Sequence, residues 1–216
     1  MLTLVIGNKN YSSWSLRPWL YMRHSGITFE ERRLELHTQS FQEEIARYDA
    51  AGLVPVLIDG AITVWDSLSI LEYLAENRRE AAAWPAVRAA RAEARSVACE
   101  MHAGFHALRS ELPQNLRRHQ RAPRSAPSAA CLRDIQRVQA IWTRCLQTHG
   151  GPFLFGAFSP ADAMFAPVAL RFRSYAIELA PDAQAYVETI GQLPAIREFC
   201  AAAHEEPAHY QPTDDR

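Results

Sequence analysis

Apolar positions in the first third of the chain switch between two periods. Leu2 to Ile6 form a short, mostly apolar run that ends in the turn formers Gly7, Asn8, Lys9 and Asn10, which predicts a buried strand. From Ser15 to Ser25 apolar residues recur at Leu16, Trp19, Leu20 and Met22, a helical spacing, and Gly26 is placed to end that helix. Ile27 to Leu36 predicts a second strand, and Ser40 to Tyr48 a second helix. Ala51 to Ile58 predicts a strand that turns at Asp59-Gly60, a hairpin signal, into a further strand over Ala61 to Trp65. Asp66-Ser67 then opens a helix with Leu68, Ile70, Leu71 and Leu74 on its apolar face.

The resulting order is strand, helix, strand, helix, strand, strand, helix, which is the order of a thioredoxin-like α/β domain over residues 1–78. An alanine-rich stretch containing Trp84-Pro85 predicts a linker at 79–88. Beyond it strand signals stop. Ala89 to Leu112, Ala129 to His149, Pro160 to Leu179 and Leu193 to Ala203 carry helical spacing, so 89–216 is expected to be an all-α domain. Arg117 to Ser128, rich in Arg, Pro and Ser, is expected to be a loop between two of its helices.

Composition narrows the function. The 23 basic residues are offset by 24 acidic ones, leaving a formal net charge of -1, which argues against a nucleic-acid partner. No apolar run approaches the roughly 20 residues of a spanning helix, and the N-terminus lacks a signal-like pattern. A cytoplasmic protein without a membrane partner is expected. The cysteines, Cys99, Cys131, Cys145 and Cys200, form no C-x-x-C pair and fall in stretches read as helical, which favours reduced thiols over disulfides or a metal site.

Three short segments carry candidate chemistry. Val54-Pro55 enters the hairpin; a cis Pro55 would leave the N–H and C=O of Val54 open to pair with an extended peptide, whereas a trans one would simply start an edge strand. Asp66-Ser67 opens a helix. Its free N–H groups and the Ser67 hydroxyl suit a carboxylate and Asp66 suits an ammonium, which together fit an amino-acid headgroup; the pair also fits an ordinary N-cap. Tyr11, Ser12, Ser13 and Ser15 cluster hydroxyls between the first strand and the first helix. One of them could donate to a bound thiolate and lower the thiol's pKa, or all could decorate and cap a turn.

With these segments in one thioredoxin-like order, the chain resembles the glutathione S-transferases across nearly its whole length. The resemblance implies that Val54, before Pro55, pairs with the cysteinyl backbone of glutathione and that Asp66 and Ser67 hold its γ-glutamyl end, with Asp66 where the family usually has Glu. It extends to Leu154-x-Gly156-x-x-Ser159-x-Ala161-Asp162, a capping-box segment whose role is folding. Ser12-Ser13-Trp14-Ser15-Leu16-Arg17 is most similar to the S-S-C-S-W-R of zeta-like bacterial members. That alignment places the thiolate-activating serine on Ser12, with Tyr11, Ser13 and Ser15 as rivals, and puts Trp14 in place of Cys and Leu16 in place of Trp. The electrophile site is less readable; Trp14, His102, His106, Arg109, Arg171 and Arg173 are candidates. The resemblance further implies a homodimeric detoxification enzyme that takes glutathione as co-substrate and conjugates its thiol to a small hydrophobic electrophile. The alternatives are a zeta-like isomerase of the maleylacetoacetate type or a non-catalytic glutathione-binding relative.

Overall fold

The computed structural model describes residues 1–48, 51–118 and 120–214. Asp49 and Ala50 of the predicted thioredoxin-like domain, His119 of the predicted loop, and Asp215 and Arg216 of the predicted helical domain lie outside the described residues. The apolar runs form one mixed sheet, ordered β2-β1-β3-β4, from β1 (Leu2–Ile6), β2 (Phe29–Arg33), β3 (Val56–Asp59) and β4 (Ile62–Val64). β1 and β2 run parallel, joined through the crossover helix α1 (Ser13–His24). β3 lies antiparallel to β1 and turns into β4 at Gly60, whose φ of 60° is a left-handed conformation that glycine adopts without a Cβ penalty. It starts at Val56, later than the predicted Ala51, because Pro55 has no N–H to give to the ladder.

Strand alternation builds a core on each face of the sheet. Leu4 and Ile6 pack with Leu16, Leu20, Ile70 and Leu74 of α1 and α3 (Ser67–Asn77), while Val5 and Val56 pack on the other face with Phe41 and Ile45 of α2 (Gln39–Ile45). β2 is shorter than the predicted Ile27 to Leu36 because its Phe-Glu-Glu-Arg-Arg sequence pairs on one side only, as an edge strand whose side chains are half-buried or exposed. Residues 78–87 carry neither helix nor strand.

The rest of the described chain is helical: α4 (Arg88–Ala103), α5 (His106–Glu111), α6 (Ala129–His149), α7 (Pro160–Ser174), α8 (Pro181–Gln192), α9 (Pro194–Glu205) and α10 (Gln211–Asp214). The single helix predicted over 89–112 is interrupted. A Cβ on Gly104 would lie 2.8 Å from the Glu100 carbonyl oxygen, and Phe105 turns to a φ of 60°, so α4 ends and α5 starts in a new direction. The helix predicted over 160–179 stops at Ser174, followed by Ala176 at a φ of 51°. α8 falls outside the predicted helices, although Pro181 at its first position and the buried Ala183, Tyr186, Val187 and Ile190 carry a helical pattern.

α7 is buried on nearly every side, as its mostly apolar sequence favours, and packs against α1, α4 and α8. Its first turn is fixed by buried Asp162, whose carboxylate accepts from the N–H of Leu154, the N–H and hydroxyl of Ser159, and the hydroxyl of Tyr186. The α1–α7 contact brings the start of α1 against residues from the far half of the chain.

Candidate functional site

The cis peptide bond between Val54 and Pro55 presents Val54 at the entrance to β3. Its N–H and C=O have no partner among the described residues. Beside it, Asp66 is the N-cap of α3: its Oδ1 accepts from the N–H groups of Leu68 at 3.0 Å and Ser69 at 3.4 Å. Oδ2 lies 2.9 Å from Nε2 of His102, reached from α4. Ser67 is buried, and its Oγ accepts from Nη1 of Arg17 at 3.2 Å.

Val54, Pro55, Asp66 and Ser67 line one cleft of about 250 Å³. Trp14, Ala51, Leu53, Trp65 and His102 complete its walls, so it is an apolar trough with a carboxylate, a hydroxyl and open backbone groups along one side. Trp14 is held by two cations, with the Arg17 guanidinium 4.2 Å and the Arg109 guanidinium 4.6 Å from the ring centroid, and its ring meets His102 edge-on at 5.3 Å. Three guanidiniums gather behind this wall. Arg17 and Arg171 are buried and Arg109 partly so, and burial followed by mutual repulsion pushes the pKa of Arg17 well down and that of Arg171 to about 10.

The four hydroxyls proposed for thiol activation have different surroundings. Ser12 is the N-cap of α1; its Oγ accepts the Ser15 N–H at 3.3 Å and its hydroxyl donates to Ser15 Oγ at 2.7 Å. Ser15 Oγ also accepts the Gly7 N–H at 3.0 Å, which pins the end of β1 to α1. Ser13 Oγ accepts from Nη2 of Arg171 at 3.0 Å. Tyr11 faces the C-terminal segment: its hydroxyl donates to the Asp214 carboxylate at 2.8 Å and accepts from Arg117 Nη2 at 2.5 Å and the Tyr210 N–H at 2.9 Å. Burial and then Asp214 raise its pKa. None of these four residues lines the cleft; the cleft is bounded at that end by Trp14, between them.

Of the electrophile-site candidates, Trp14 and His102 line the cleft, and Arg109 and Arg171 lie behind it. His106 is exposed, and Arg173 borders a separate cavity of about 380 Å³ with Ile177 and Val187.

Residues 11–77 match the sequence family described as "Glutathione S-transferase, N-terminal domain", a span that contains every cleft residue except His102. The chain also superposes on the holo structure of a maleyl pyruvate isomerase, a bacterial zeta-class glutathione S-transferase, with a TM-score of 0.72 at 22% identity, covering 95% of this chain and 100% of that one. Residues 11–77 belong to the glutathione S-transferase N-terminal domain family. Among curated relatives, the chain is 33% identical over 69 residues to a dichloromethane dehalogenase of Methylophilus leisingeri, covering 30% of this chain and 25% of that one. It is 27% identical over 111 residues to a probable maleylacetoacetate isomerase of Vibrio cholerae, covering 50% of this chain and 52% of that one. The matches thus span between about a quarter and about half of the curated relatives' length.

The C-terminal clamp on the α1 loop had no signal in the sequence. Glu206, just past α9, accepts the backbone N–H groups of Lys9 at 2.7 Å and Asn10 at 3.0 Å and pairs with Arg33 at 3.1 Å. Its carboxylate is buried, at 1% side-chain exposure, so these partners are its solvation.

Proposed function

We propose that the chain is an enzyme that binds glutathione in the cleft between Val54 and Asp66 and presents its thiol, as thiolate, to a small hydrophobic electrophile. The observation that carries this reading is the convergence in one cleft of an unpartnered Val54 backbone, the Asp66 carboxylate and Ser67. An extended peptide that pairs with Val54 as an added strand would bring its amino-acid headgroup to the N-terminus of α3. There Asp66 takes the ammonium, and Ser67 with the first-turn N–H groups takes the carboxylate. Residues 1–78 form the glutathione-binding module, 79–88 the linker and 89–216 the module that supplies the second wall, with His102.

The cysteinyl sulfur then lies toward the start of α1, where a serine hydroxyl stabilises the thiolate; Ser12 is the position that the resemblance to the zeta class names. In conjugation the sulfur forms a bond to the electrophilic carbon while the leaving group departs with its bonding pair. The apolar wall of Trp14, Pro55 and Trp65 suits hydrophobic electrophiles. A cytoplasmic homodimer with a role in detoxification completes the reading; no helix among the described residues is long and apolar enough to cross a membrane.

A second reading is favoured by the likeness to two isomerases. In it the sulfur adds to a carbon–carbon double bond, rotation follows about the resulting single bond, and elimination of the thiolate restores the double bond as the other isomer. Assaying purified protein with glutathione and a chloroaromatic electrophile, and separately with a maleyl ketoacid, separates the two. Release of halide with formation of the thioether supports conjugation, whereas isomerisation without consumption of glutathione supports the second reading. Neither activity, with no glutathione bound, leaves a non-catalytic relative.

A further inference from the structure

The two serines that open α1 hold their protons differently. Ser12 donates its proton to Ser15 Oγ and uses its oxygen to cap the Ser15 N–H, so both of its capacities serve the helix. Ser13 Oγ, in contrast, accepts from Arg171 Nη2 at 3.0 Å, and its own hydroxyl hydrogen has no acceptor among the described residues. The backbone N–H groups of Ser13 and Trp14, at the positive end of α1, likewise have no partner among the described residues. Ser13 immediately precedes Trp14, the cleft wall.

We propose that Ser13, oriented by Arg171, is the hydroxyl that donates to the glutathione thiolate, and that Arg171 is a positioning residue acting through it. This deepens the glutathione reading given above and rests on it. Arg171 is built for the task. It is buried on α7, its Nε donates to the Leu112 carbonyl at 2.9 Å, and the remaining arm of its planar fork reaches across 158 residues of chain to Ser13. A hydroxyl that accepts from a guanidinium becomes a better donor, and the guanidinium occupies the lone pair so that the proton points elsewhere.

The charges around the site favour an anion. Arg17 from α1, Arg109 from α5 and Arg171 from α7 repel one another, and none forms an ion pair with a described residue. The carboxylates that act on them are Asp66, at the cap of α3, on Arg17 and Asp134, on α6, on Arg109. Asp66 already faces His102 of α4, and Tyr175 beside Arg171 offers a phenol in place of a carboxylate. The Nε of Arg17 is buried without a partner. A thiolate at this point supplies negative charge that the cluster lacks. The thiol proton leaves to solvent water, Ser13 keeps its own proton throughout, and no covalent bond forms to the serine.

The test is the ultraviolet absorbance of the bound thiolate against pH, at glutathione concentrations set by calorimetry to saturate each protein. Ser13→Ala removes one oxygen and is expected to raise the bound thiol's pKa by about one unit, a tenfold drop in the thiolate-to-thiol ratio at a given pH. Arg171→Lys keeps a cation but not the fork, and is expected to raise the thiol pKa in the wild-type background while adding little to Ser13→Ala, because both act through one hydrogen bond. Ser13→Ala carries the test alone if the lysine variant does not fold. Loss of the thiolate band in Ser12→Ala with Ser13→Ala unaffected overturns the assignment, and independent, additive effects of Ser13→Ala and Arg171→Lys overturn the role of Arg171. A wild-type protein that binds no glutathione overturns the glutathione reading itself, whereas one that binds it with a thiol pKa indifferent to Ser13 overturns this assignment alone.

Discussion

Glu206 accepts the backbone N–H of Asn10 at 3.0 Å across 196 residues of chain, so the end of the helical half holds the loop from which α1 starts. The same carboxylate holds Lys9 N–H and faces Arg33. Glu206→Ala strands the N–H donors of part-buried Lys9 and buried Asn10 and is expected to destabilise the protein by about 3 kcal/mol. Denaturant unfolding measures the loss, and faster amide exchange at residues 8–12 than in the helical core places it at the α1 loop.

Tyr11 carries a different expectation. Its hydroxyl ties Asp214, Arg117 and Tyr210 together, so Tyr11→Phe is expected to release the C-terminal segment, with a loss of about 1 kcal/mol. Limited proteolysis followed by mass spectrometry is expected to show new cleavage between residues 205 and 214. An unchanged cleavage pattern contradicts this role.

Asp162 makes stability depend on pH with an unusual sign for a carboxylate. Burial raises its pKa to about 6 in spite of four hydrogen bonds that favour the charged form, whereas the unfolded chain titrates near the ordinary value of about 4. The native state therefore binds the extra proton between those values. The group's pH-linked contribution is full below about pH 4 and is lost as the pH rises through about 6. Asp162→Ala, which strands the donors of Leu154, Ser159 and Tyr186, is expected to cost on the order of 3 kcal/mol at pH 7. Urea unfolding at pH 4, 5, 6 and 7 is expected to show the gap between wild type and variant narrowing with rising pH.

The parts of this structure that were legible in the sequence are those whose cause is local. The Asp59-Gly60 turn, the apolar run of β1, the Asp66 cap of α3 and the full extent of α6 follow from residues within one or two turns of each other. The break between α4 and α5 had a local sign in Gly104, outweighed by the helical spacing on either side. The contacts that shape the candidate site are of another kind. Arg171 on Ser13, His102 on Asp66 and Glu206 on Asn10 join elements far apart in sequence, and each of those residues has an ordinary local context. A buried arginine on α7 reads as one more helix position until the packing of α7 against α1 supplies its partner.

The central claim is that the cleft between Val54 and Asp66 binds glutathione, and isothermal titration calorimetry of wild type and Asp66→Asn against glutathione tests it most directly. The substituted amide keeps an acceptor for the Leu68 N–H, so α3 stays capped, but it lacks the charge that faces the ligand's ammonium. The account predicts one glutathione per chain for the wild type and an affinity about tenfold weaker for Asp66→Asn, roughly 1.4 kcal/mol. Equal affinity in the two proteins, or no heat of binding in the wild type, contradicts it.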